Sequence, residues 1–269
     1  MLRRTALLTV LALAVAVPAL VACEGGGEDG EGEGEEGEGE GNGCTDVDLP
    51  TCDEDLTAAC RDEAFPLLEM NLTTAAPGAI DSVAIDGGFE VSVDATAGGF
   101  GGNGGWVYGR FTDDGLEKVD LTDDASFDST EWDIAFRRFI VRLNSGYAGP
   151  GCVSAANIGK GTPFEDVSCV PDGAIFNIED AFLSDSDSCT LVPDGSGLGS
   201  PGVVLQNWWD YPAGCVATTG NVYVIATGDG RLVKFEMTQY YKDAQPACND
   251  DATIDGESAR VKLKYGYLE

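Results

Sequence analysis

The residue types that could carry out chemistry in this chain are limited by one absence. Histidine does not occur among the 269 residues, whereas cysteine occurs nine times. The chain therefore cannot form a Ser-His-Asp triad, use imidazole as a general acid or base, or bind a metal through imidazole. No nucleophile beside a base is visible, and no two cysteines have the CxxC spacing typical of redox and zinc sites. We predict a protein that is not an enzyme and has no metal site.

Cys23 is a candidate for covalent lipid attachment. An apolar run from Leu7 to Val17 follows two arginines and is too short for a stable transmembrane helix. The next residues, Leu20-Val21-Ala22-Cys23, resemble the lipobox of bacterial lipoproteins. This resemblance implies that residues 1–22 are a signal peptide and that Cys23 becomes the lipidated N-terminus. The alternative is an ordinary signal peptide, cleaved near Ala22, that leaves Cys23 free.

The other eight cysteines are predicted to form structural disulfides, because an even number in an exported chain is typical of them. Three of the eight lie before residue 61 and five lie after residue 151. If all are paired, at least one bond must therefore join the N-terminal segment to the later chain. The candidates are Cys44, Cys52, Cys60, Cys152, Cys169, Cys189, Cys215 and Cys248.

The charge of the chain is strongly negative, with a formal net charge of -32 at pH 7. Residues 24–43 consist of glutamate and glycine apart from Asp29 and Asn42, and they contain no apolar side chain to bury. We predict that residues 23–43 are a lipidated cysteine and a disordered tether. Acidic residues also outnumber basic ones in the remainder, which excludes nucleic acid as a partner because phosphate binding needs clustered Lys and Arg.

The elements that must position any site are predicted to be strands. The stretch from Ser129 to Gly146 is apolar on both parities, which indicates a central strand with both faces covered. Its cations, Arg137, Arg138 and Arg142, are expected to find carboxylate partners, with Asp133 as the nearby candidate.

Other segments support an all-β fold with antiparallel strands. Residues 44–83 form a cysteine-rich cap that contains the best helical candidate, and residues 84–269 form the β domain. The region from Tyr147 to Ser200 is rich in Gly, Pro, Asp and Ser and is expected to be a long irregular region pinned by disulfides. The further predicted strands lie around 89–93, at 106–111, 115–121, 221–227, 231–241 and 261–267, and Gly228-Asp229-Gly230 is a predicted hairpin turn.

Four of these stretches together resemble the HmuY family of lipid-anchored bacterial surface proteins. They are EWDIAFRRFIVRLNSG (131–146), WWDY (208–211), the hairpin at 221–241 and VKLKYGY (261–267). The resemblance covers roughly Ala84 to Tyr267 and implies an all-β fold. We call the matching positions the signature residues, and interpret them as structural: Trp132, Asp133, Phe136, Arg137, Asn144, Gly146, Trp208 and Tyr211.

The resemblance implies haem capture at the cell surface and transfer to an outer-membrane receptor. Family members hold haem iron through paired histidines or, in some cases, methionines, and this chain has no histidine to match. A tyrosinate can also bind haem iron. The residues considered as ligand contacts are Tyr147, Trp209 and Met237, although Met237 shares its strand parity with core residues and Tyr147 also fits a half-buried loop position.

Two functions follow for a lipid-anchored protein at the outer membrane or cell surface of a Gram-negative-type bacterium. In the first, the β domain binds haem or another apolar small molecule, without histidine ligation. In the second, the protein retains the scaffold for structural or protein–protein interactions and has lost haem binding.

Overall fold

The computed structural model describes residues 47–51, 57–98, 104–183 and 187–268. The predicted signal peptide, Cys23, the Glu/Gly tether, Cys44 and Cys52 lie outside these ranges. Within them, no helix combines the length and the apolar character needed to cross a membrane.

The described residues form twelve strands and three α-helices. The helices are α1 (Thr57–Leu67), α2 (Asp123–Ser126) and α3 (Gln245–Asp251). The strands are β1 (Ile80–Ile85), β2 (Gly88–Asp94), β3 (Val107–Thr112), β4 (Gly115–Val119), β5 (Ile134–Arg137), β6 (Ile140–Leu143), β7 (Ser154–Gly159), β8 (Trp209–Asp210), β9 (Ala217–Thr218), β10 (Val222–Ala226), β11 (Leu232–Gln239) and β12 (Arg260–Tyr267).

These strands build two main sheets. Six strands form the larger sheet in the order β1-β2-β12-β11-β10-β7, and four form the smaller sheet in the order β4-β3-β5-β6, while β8 and β9 make a short pair. Every pair of neighbours is antiparallel. The predicted all-β, antiparallel fold with a small N-terminal helical segment is confirmed.

The stretch from Ser129 to Gly146 contains a hairpin, so the prediction of one continuous strand is wrong. β5 and β6 are antiparallel neighbours, and their last pair is Arg137 opposite Ile140. Arg138 and Phe139 therefore form a two-residue turn, in which Arg138 has a φ of +55°. Such turns need a positive φ and favour glycine or asparagine. The arginine hid the turn from sequence analysis.

The hairpin explains why the stretch is apolar on both parities. Ile134 lies opposite Leu143 and Phe136 lies opposite Val141, so residues of opposite parity meet across the two strands. All four side chains lie in the main core, to which both sheets contribute. Ala135 lies in a second cluster, which also includes residues of α1. The prediction that both faces are covered is confirmed.

The larger sheet follows the expected alternation of side chains. Val233, Phe235 and Met237 of β11 lie in the main core together with Val261 and Leu263 of β12. The predicted hairpin of β10 and β11 is confirmed, with residues 227–231 at its turn. β12 lies between β2 and β11, in the interior of the sheet.

One strand was missed in the region from Tyr147 to Ser200. β7 lies at the edge of the larger sheet and pairs with β10. Its sequence, Ser-Ala-Ala-Asn-Ile-Gly, has few of the branched and aromatic residues that mark strands. Most of the remaining region is irregular, as predicted.

Two disulfides each join an irregular segment to a helix. Cys60 of α1 bonds to Cys189, and Cys215 bonds to Cys248 of α3. Cys152 and Cys169 are also disulfide-bonded. The Cys60–Cys189 bond joins the N-terminal segment to the later chain, as the distribution of cysteines requires.

The predicted boundary between the cap and the β domain falls inside β1. This strand begins at Ile80 and pairs along its whole length with β2. The hydroxyl of Ser82 also accepts a hydrogen bond from Leu116 N–H at 2.9 Å, which ties β1 to β4 of the smaller sheet. The β domain therefore includes Ile80, and the cap is shorter than predicted.

Candidate functional site

A cavity of about 490 Å³ lies at the turn of the β5–β6 hairpin. Its size falls within the range of roughly 300–1,000 Å³ that is typical of small-molecule sites. We call it the turn cavity, because the turn residues contribute one wall. The lining residues come from seven segments of the chain: Leu67–Glu69, Trp106, Arg137–Ile140, Leu198–Pro201, Tyr211 to Val216 in part, Tyr240 and Tyr241, and Ile254 to Ser258 in part.

Aromatic rings form a connected wall of the turn cavity. Phe139 lies in the turn, and its ring centroid is 6.2 Å from that of Tyr240. The ring of Tyr240 is in turn 4.8 Å from that of Tyr241. The ring centroid of Trp209 lies 4.7 Å from that of Phe139, so Trp209 packs against this ring. The wall thus offers flat apolar surfaces that are held in place by further aromatic contacts.

Exposed apolar side chains border the same cavity. Leu67 at the end of α1 is 46% exposed, Leu198 is 41% exposed and Ile254 is 53% exposed. Tyr211 also lines the cavity and is 36% exposed. Large apolar residues that lie together at the surface mark a place where a ligand or partner is bound.

The charges at the turn cavity differ from those of the chain as a whole. Two arginines, Arg137 and Arg138, line it together with one acidic residue, Glu69. Arg137 donates hydrogen bonds to the carbonyl oxygen of Leu68 and, at 3.2 Å, to Glu69, so it attaches the hairpin to the cap. The lining therefore carries a net positive charge in a protein of net charge -32.

Arg138 is held by groups that also line the cavity. Its guanidinium lies 3.5 Å from the hydroxyl oxygen of Ser258. The hydroxyl of Tyr240 accepts hydrogen bonds from Ser258 and Arg138, while burial raises the pKa of Tyr240 to about 12. The backbone N–H of Arg138 donates to the carbonyl oxygen of Ala95 at 3.1 Å, which anchors the turn.

The three tyrosines of the cavity are not equivalent. The Tyr241 hydroxyl accepts the Val216 N–H at 3.2 Å, and burial raises the pKa of Tyr241. Tyr240 and Tyr241 are therefore neutral phenols whose oxygens already have partners. Tyr211 is the more accessible of the three.

A buried cation lies behind one wall of the cavity. The guanidinium of Arg142 is fully buried, and its carbon lies 4.6 Å from the ring centroid of Trp106, a cavity residue. Its Nη1 donates to Ala148 O at 2.9 Å, and its Nη2 donates to the Tyr108 hydroxyl at 2.6 Å. Among the described residues, five rings lie within 5.8 Å of this carbon: Trp106, Tyr108, Phe127, Trp132 and Phe182.

Tyr108 connects this cation to a carboxylate. Its hydroxyl donates to Asp123 Oδ1 at 2.8 Å. Asp123 also accepts the backbone N–H groups of Trp106 at 2.9 Å and of Asn71 at 2.7 Å. The network therefore fixes Trp106 and the segment that follows the cap. Cation–π contacts and hydrogen bonds together replace the direct carboxylate partner that we had expected for Arg142.

Asp133 does not pair with the arginines of the hairpin, so that prediction is wrong. Its carboxylate accepts the backbone N–H of Phe111 at 2.9 Å and that of Gly228 at 2.9 Å. It thus joins β3 to the turn of the β10–β11 hairpin. Burial raises the pKa of Asp133, and these backbone hydrogen bonds act in the opposite direction.

The other signature residues support the same region from within. Trp132 donates from Nε1 to Ser126 O at 3.0 Å, and Trp208 donates from Nε1 to Phe139 O at 3.0 Å. Asn144 donates to Trp132 O at 2.7 Å and accepts the Gly151 N–H at 2.9 Å. Trp208 therefore positions the turn residue that lines the cavity.

Phe136, Gly146 and the remaining signature residues divide between core and cavity. Phe136 is fully buried in the main core. Gly146 has a φ of +55°, and a Cβ atom there would lie 2.6 Å from Glu179 O. Arg137 and Tyr211 line the turn cavity itself. Two of the eight signature positions are thus at the candidate site.

The three residues considered as ligand contacts do not line the turn cavity. Tyr147 is buried in the second cluster and donates its N–H to Glu179 O at 3.0 Å. Met237 is buried in the main core. Trp209 packs behind Phe139 and, with Tyr211, lines a smaller neighbouring cavity of about 340 Å³ that is surrounded mainly by polar side chains.

Several cavity residues were missed by sequence analysis. Arg138 was noted only as a cation, and Tyr240 and Tyr241 were assigned only to a strand. A pair of tyrosines at the end of a strand is a weak signal, since either one could be a core residue. Within the described ranges, no group of three or more Cys, Asp or Glu side chains is arranged to hold a metal ion.

Comparison with protein families gives one match. The family model described as HmuY protein matches residues 103–265, which is more than half of the chain. The match spans both sheets from β3 onward and includes the hairpin that carries the turn cavity. No curated protein sequence matches the chain.

Comparison with solved structures gives matches of low sequence identity. A Bacteroides vulgatus protein described as an HmuY-like heme binding protein has 17% identity and a TM-score of 0.42, covering 74% of this chain and 98% of its own. The Tannerella forsythia HmuY analog in its apo form has 19% identity and a TM-score of 0.40, and the match covers 72% of this chain and 98% of the analog. A Bacteroides fragilis protein described as a lipoprotein has 15% identity and a TM-score of 0.40, and the match covers 74% of this chain and 96% of that protein.

Proposed function

Since the chain belongs to the HmuY family, we propose that it is an exported surface lipoprotein whose β domain binds a haem-type apolar small molecule in the turn cavity. The observation that carries this proposal is the cavity itself. It combines an aromatic wall, an apolar rim and a local positive charge within the family-matched part of the chain. A planar apolar ligand with acidic groups fits those three properties.

The N-terminal part of the chain completes the proposal. Residues 1–22 direct export, Cys23 carries the lipid, and the acidic segment up to Gly43 holds the folded part away from the outer membrane. The strongly negative charge of residues 24–43 makes this part of the chain unsuited to binding nucleic acid. The partner that would receive the ligand is an outer-membrane receptor.

The absence of histidine alters how a haem-type ligand is held. Met237 is buried in the core and Met70 is buried in the cluster beneath the cap, so neither thioether lines the cavity. Among the described residues, Tyr211 is the most accessible phenol in the cavity. Binding therefore depends mainly on the aromatic wall and the arginines.

A second function is supported by a different observation. Leu67, Leu198 and Ile254 expose apolar surface around the cavity, and such a rim also suits a protein partner. In this alternative the protein keeps the scaffold, binds another surface protein through the rim, and takes up no small molecule.

A titration of the purified exported protein with haemin tests the first function against the second. We expect a shifted Soret band that saturates at one haemin per protein. The double variant Leu198→Ser/Ile254→Ser should weaken binding, whereas Ile175→Ser should not, because Ile175 is 74% exposed and does not line the cavity. No Soret shift at micromolar haemin would remove haem as the ligand and favour the second function.

A further inference from the structure

We propose that the phenol oxygen of Tyr211 binds the iron of haemin in the turn cavity, in place of the imidazole that this chain lacks. This inference rests on the proposed function and names the side chain that makes the bond to the metal. The aromatic wall and the arginines bind the porphyrin, while Tyr211 adds selectivity for its iron form. The distinctive consequence is that haemin binds more tightly than metal-free protoporphyrin IX does.

The donor atoms available at the cavity are the first argument. Proteins hold haem iron through imidazole, thiolate, thioether or phenolate groups. The chain has no histidine, and the described cysteines are all in disulfides. Met70 and Met237 are buried in the two clusters and do not line the cavity. Among the described residues, phenolate is therefore the one ligand of this set that the lining can offer.

The three tyrosines of the lining differ in whether their oxygen is available. The Tyr240 hydroxyl accepts hydrogen bonds from other lining residues, and burial raises the pKa of Tyr240 to about 12. The Tyr241 hydroxyl accepts the Val216 N–H at 3.2 Å. The Tyr211 hydroxyl, in contrast, has no hydrogen-bond partner within the part of the chain that the structure describes. Its oxygen can approach a metal without breaking a contact of the fold.

The position of Tyr211 is the second argument. It lines the cavity and is 36% exposed. Its ring centroid lies 6.2 Å from that of Trp209, which packs against Phe139 of the aromatic wall. Burial raises the pKa of Tyr241, and the nearby phenol of Tyr211 raises it further. An accessible phenol thus lies beside the flat surfaces on which a porphyrin ring would pack.

The loop that carries Tyr211 is restrained on both sides. Before it, β8 ends at Asp210 and pairs with β9, and the Tyr211 N–H donates to Asp210 Oδ1 at 2.7 Å. After it, the carbonyl oxygen of Pro212 accepts the Cys215 N–H at 3.1 Å, and Cys215 is bonded to Cys248. A ligand held in this way loses less conformational entropy when it binds.

The competing oxygen in the lining is the carboxylate of Glu69. It pairs with Arg137 at 3.2 Å, and this ion pair attaches the hairpin to the cap. A bond from Glu69 to iron would compete with this pairing, whereas a bond from Tyr211 would not. The experiments must therefore separate these two oxygens.

The binding step leaves the iron in its ferric state. The bond between iron and the axial hydroxide of haemin breaks, and a bond between iron and the Tyr211 oxygen forms. The departing hydroxide takes the phenolic proton and leaves as one water molecule. No electron is transferred, and the positive charge of the iron stabilises the phenolate.

Two probes, haemin and protoporphyrin IX, separate ligation by Tyr211 from binding of the porphyrin alone. Each is titrated into the purified exported protein and followed by absorbance or by quenching of tryptophan fluorescence. We expect haemin to bind about tenfold more tightly than protoporphyrin IX, because it alone gains the bond to oxygen. Tyr211→Phe keeps the ring and should retain the melting temperature. It should weaken haemin binding by about tenfold and leave the dissociation constant of protoporphyrin IX unchanged.

Resonance Raman spectra of the ferric complex identify the ligand directly. With excitation in the charge-transfer band between phenolate and iron, wild type should show tyrosinate ring modes that shift when the protein contains ring-deuterated tyrosine. Tyr211→Phe should lack these modes. Tyr267→Phe is the matched control and should keep them, because Tyr267 lies in β12 and does not line the cavity. Glu69→Gln should also keep them, whatever its effect on affinity.

The outcomes separate this inference from the proposed function. If Tyr211→Phe binds haemin as wild type does, or if wild type shows no tyrosinate modes, ligation by Tyr211 is overturned while the proposed function stands. Equal dissociation constants for haemin and protoporphyrin IX in wild type would overturn it as well. Loss of the iron bond in Glu69→Gln alone would assign the ligand to the carboxylate. If neither probe binds, both proposals fail.

Discussion

At the scale of single residues, the fold buries the guanidinium of Arg142 and surrounds it with neutral groups. Arg142 is enclosed by aromatic rings and by the oxygens of Tyr108, Ser126 and Ala148. Of the hairpin's three arginines, Arg142 is therefore structural, Arg137 fastens the cap, and Arg138 lines the turn cavity. The need of these cations for partners could be predicted from the sequence, but the partners themselves could not, since most of them come from distant segments.

Replacing Arg142 tests its structural role. Arg142→Lys keeps the charge but loses the planar group that stacks on the rings and donates to two sides. We expect a loss of about 2 kcal/mol or more in the free energy of unfolding, measured by urea denaturation. Arg231→Lys is the matched control, because Arg231 also stacks on a ring, that of Tyr267, but its side chain is 37% exposed. Its loss should stay below about 1 kcal/mol, and equal losses would contradict the account.

Glu179 provides a pH-dependent test at the same scale. Its carboxylate is fully buried and accepts the N–H groups of Leu143 at 2.9 Å and Val204 at 3.0 Å. Burial raises the pKa of Glu179 from 4.5 to about 8, because the charged form loses its hydration. The folded state therefore holds this proton more tightly than the unfolded state does. Its contribution to stability is fully present below pH 4.5 and is lost as the pH rises through 8.

Unfolding by urea at pH 5 and at pH 8.5 measures this contribution. Wild type should lose more stability between the two pH values than Glu179→Gln does, because glutamine cannot ionise. An exposed carboxylate away from Glu179 serves as the control, and Asp86→Asn should leave the pH dependence of the wild type unchanged. An identical pH dependence in wild type and Glu179→Gln would show that Glu179 does not titrate in this range.

At the scale of elements, the strands with regular alternation could be predicted, whereas only some of the turns between them could. The β10–β11 hairpin has glycine and aspartate at its turn, and its strands alternate, so local sequence suffices. The β5–β6 turn contains Arg138 and Phe139, neither of which marks a turn. β7 was missed because most of its residues are small or polar, whereas large apolar residues would have indicated a strand.

Gly146 illustrates how one position joins two elements after the hairpin. Its φ is +55°, and the space for a Cβ atom is occupied by the backbone of Glu179 at 2.6 Å. Gly146→Ala should therefore lower the melting temperature more than Gly220→Ala, whose glycine also has a positive φ, +71°, but nothing within 4 Å of a Cβ atom. The difference isolates the close approach from the backbone strain. Equal effects in a thermal scan would mean that the Glu179 segment moves freely to make room.

At the scale of the whole molecule, the two sheets form a scaffold and the function is proposed for the place where the cap, the hairpin turn and three loops meet. The Cys60–Cys189 bond joins α1, whose end lines the cavity, to the segment that leads to Leu198. The family and the all-β fold could be recognised from short stretches of sequence. The cavity could not, because its walls are brought together from positions between 67 and 258 by long-range packing and disulfides.

Hydrogen–deuterium exchange of the purified exported protein, with and without saturating haemin, tests the central claim most directly, because it reports where a ligand binds. We predict slower exchange at the hairpin turn around Phe139 and at the cavity segments 198–201 and 254–258. Exchange around Tyr147 and in β1 should not change. Unchanged exchange at the turn cavity under conditions where haemin is bound, or protection confined to the segment around Tyr147, would contradict the assignment of the turn cavity as the binding site.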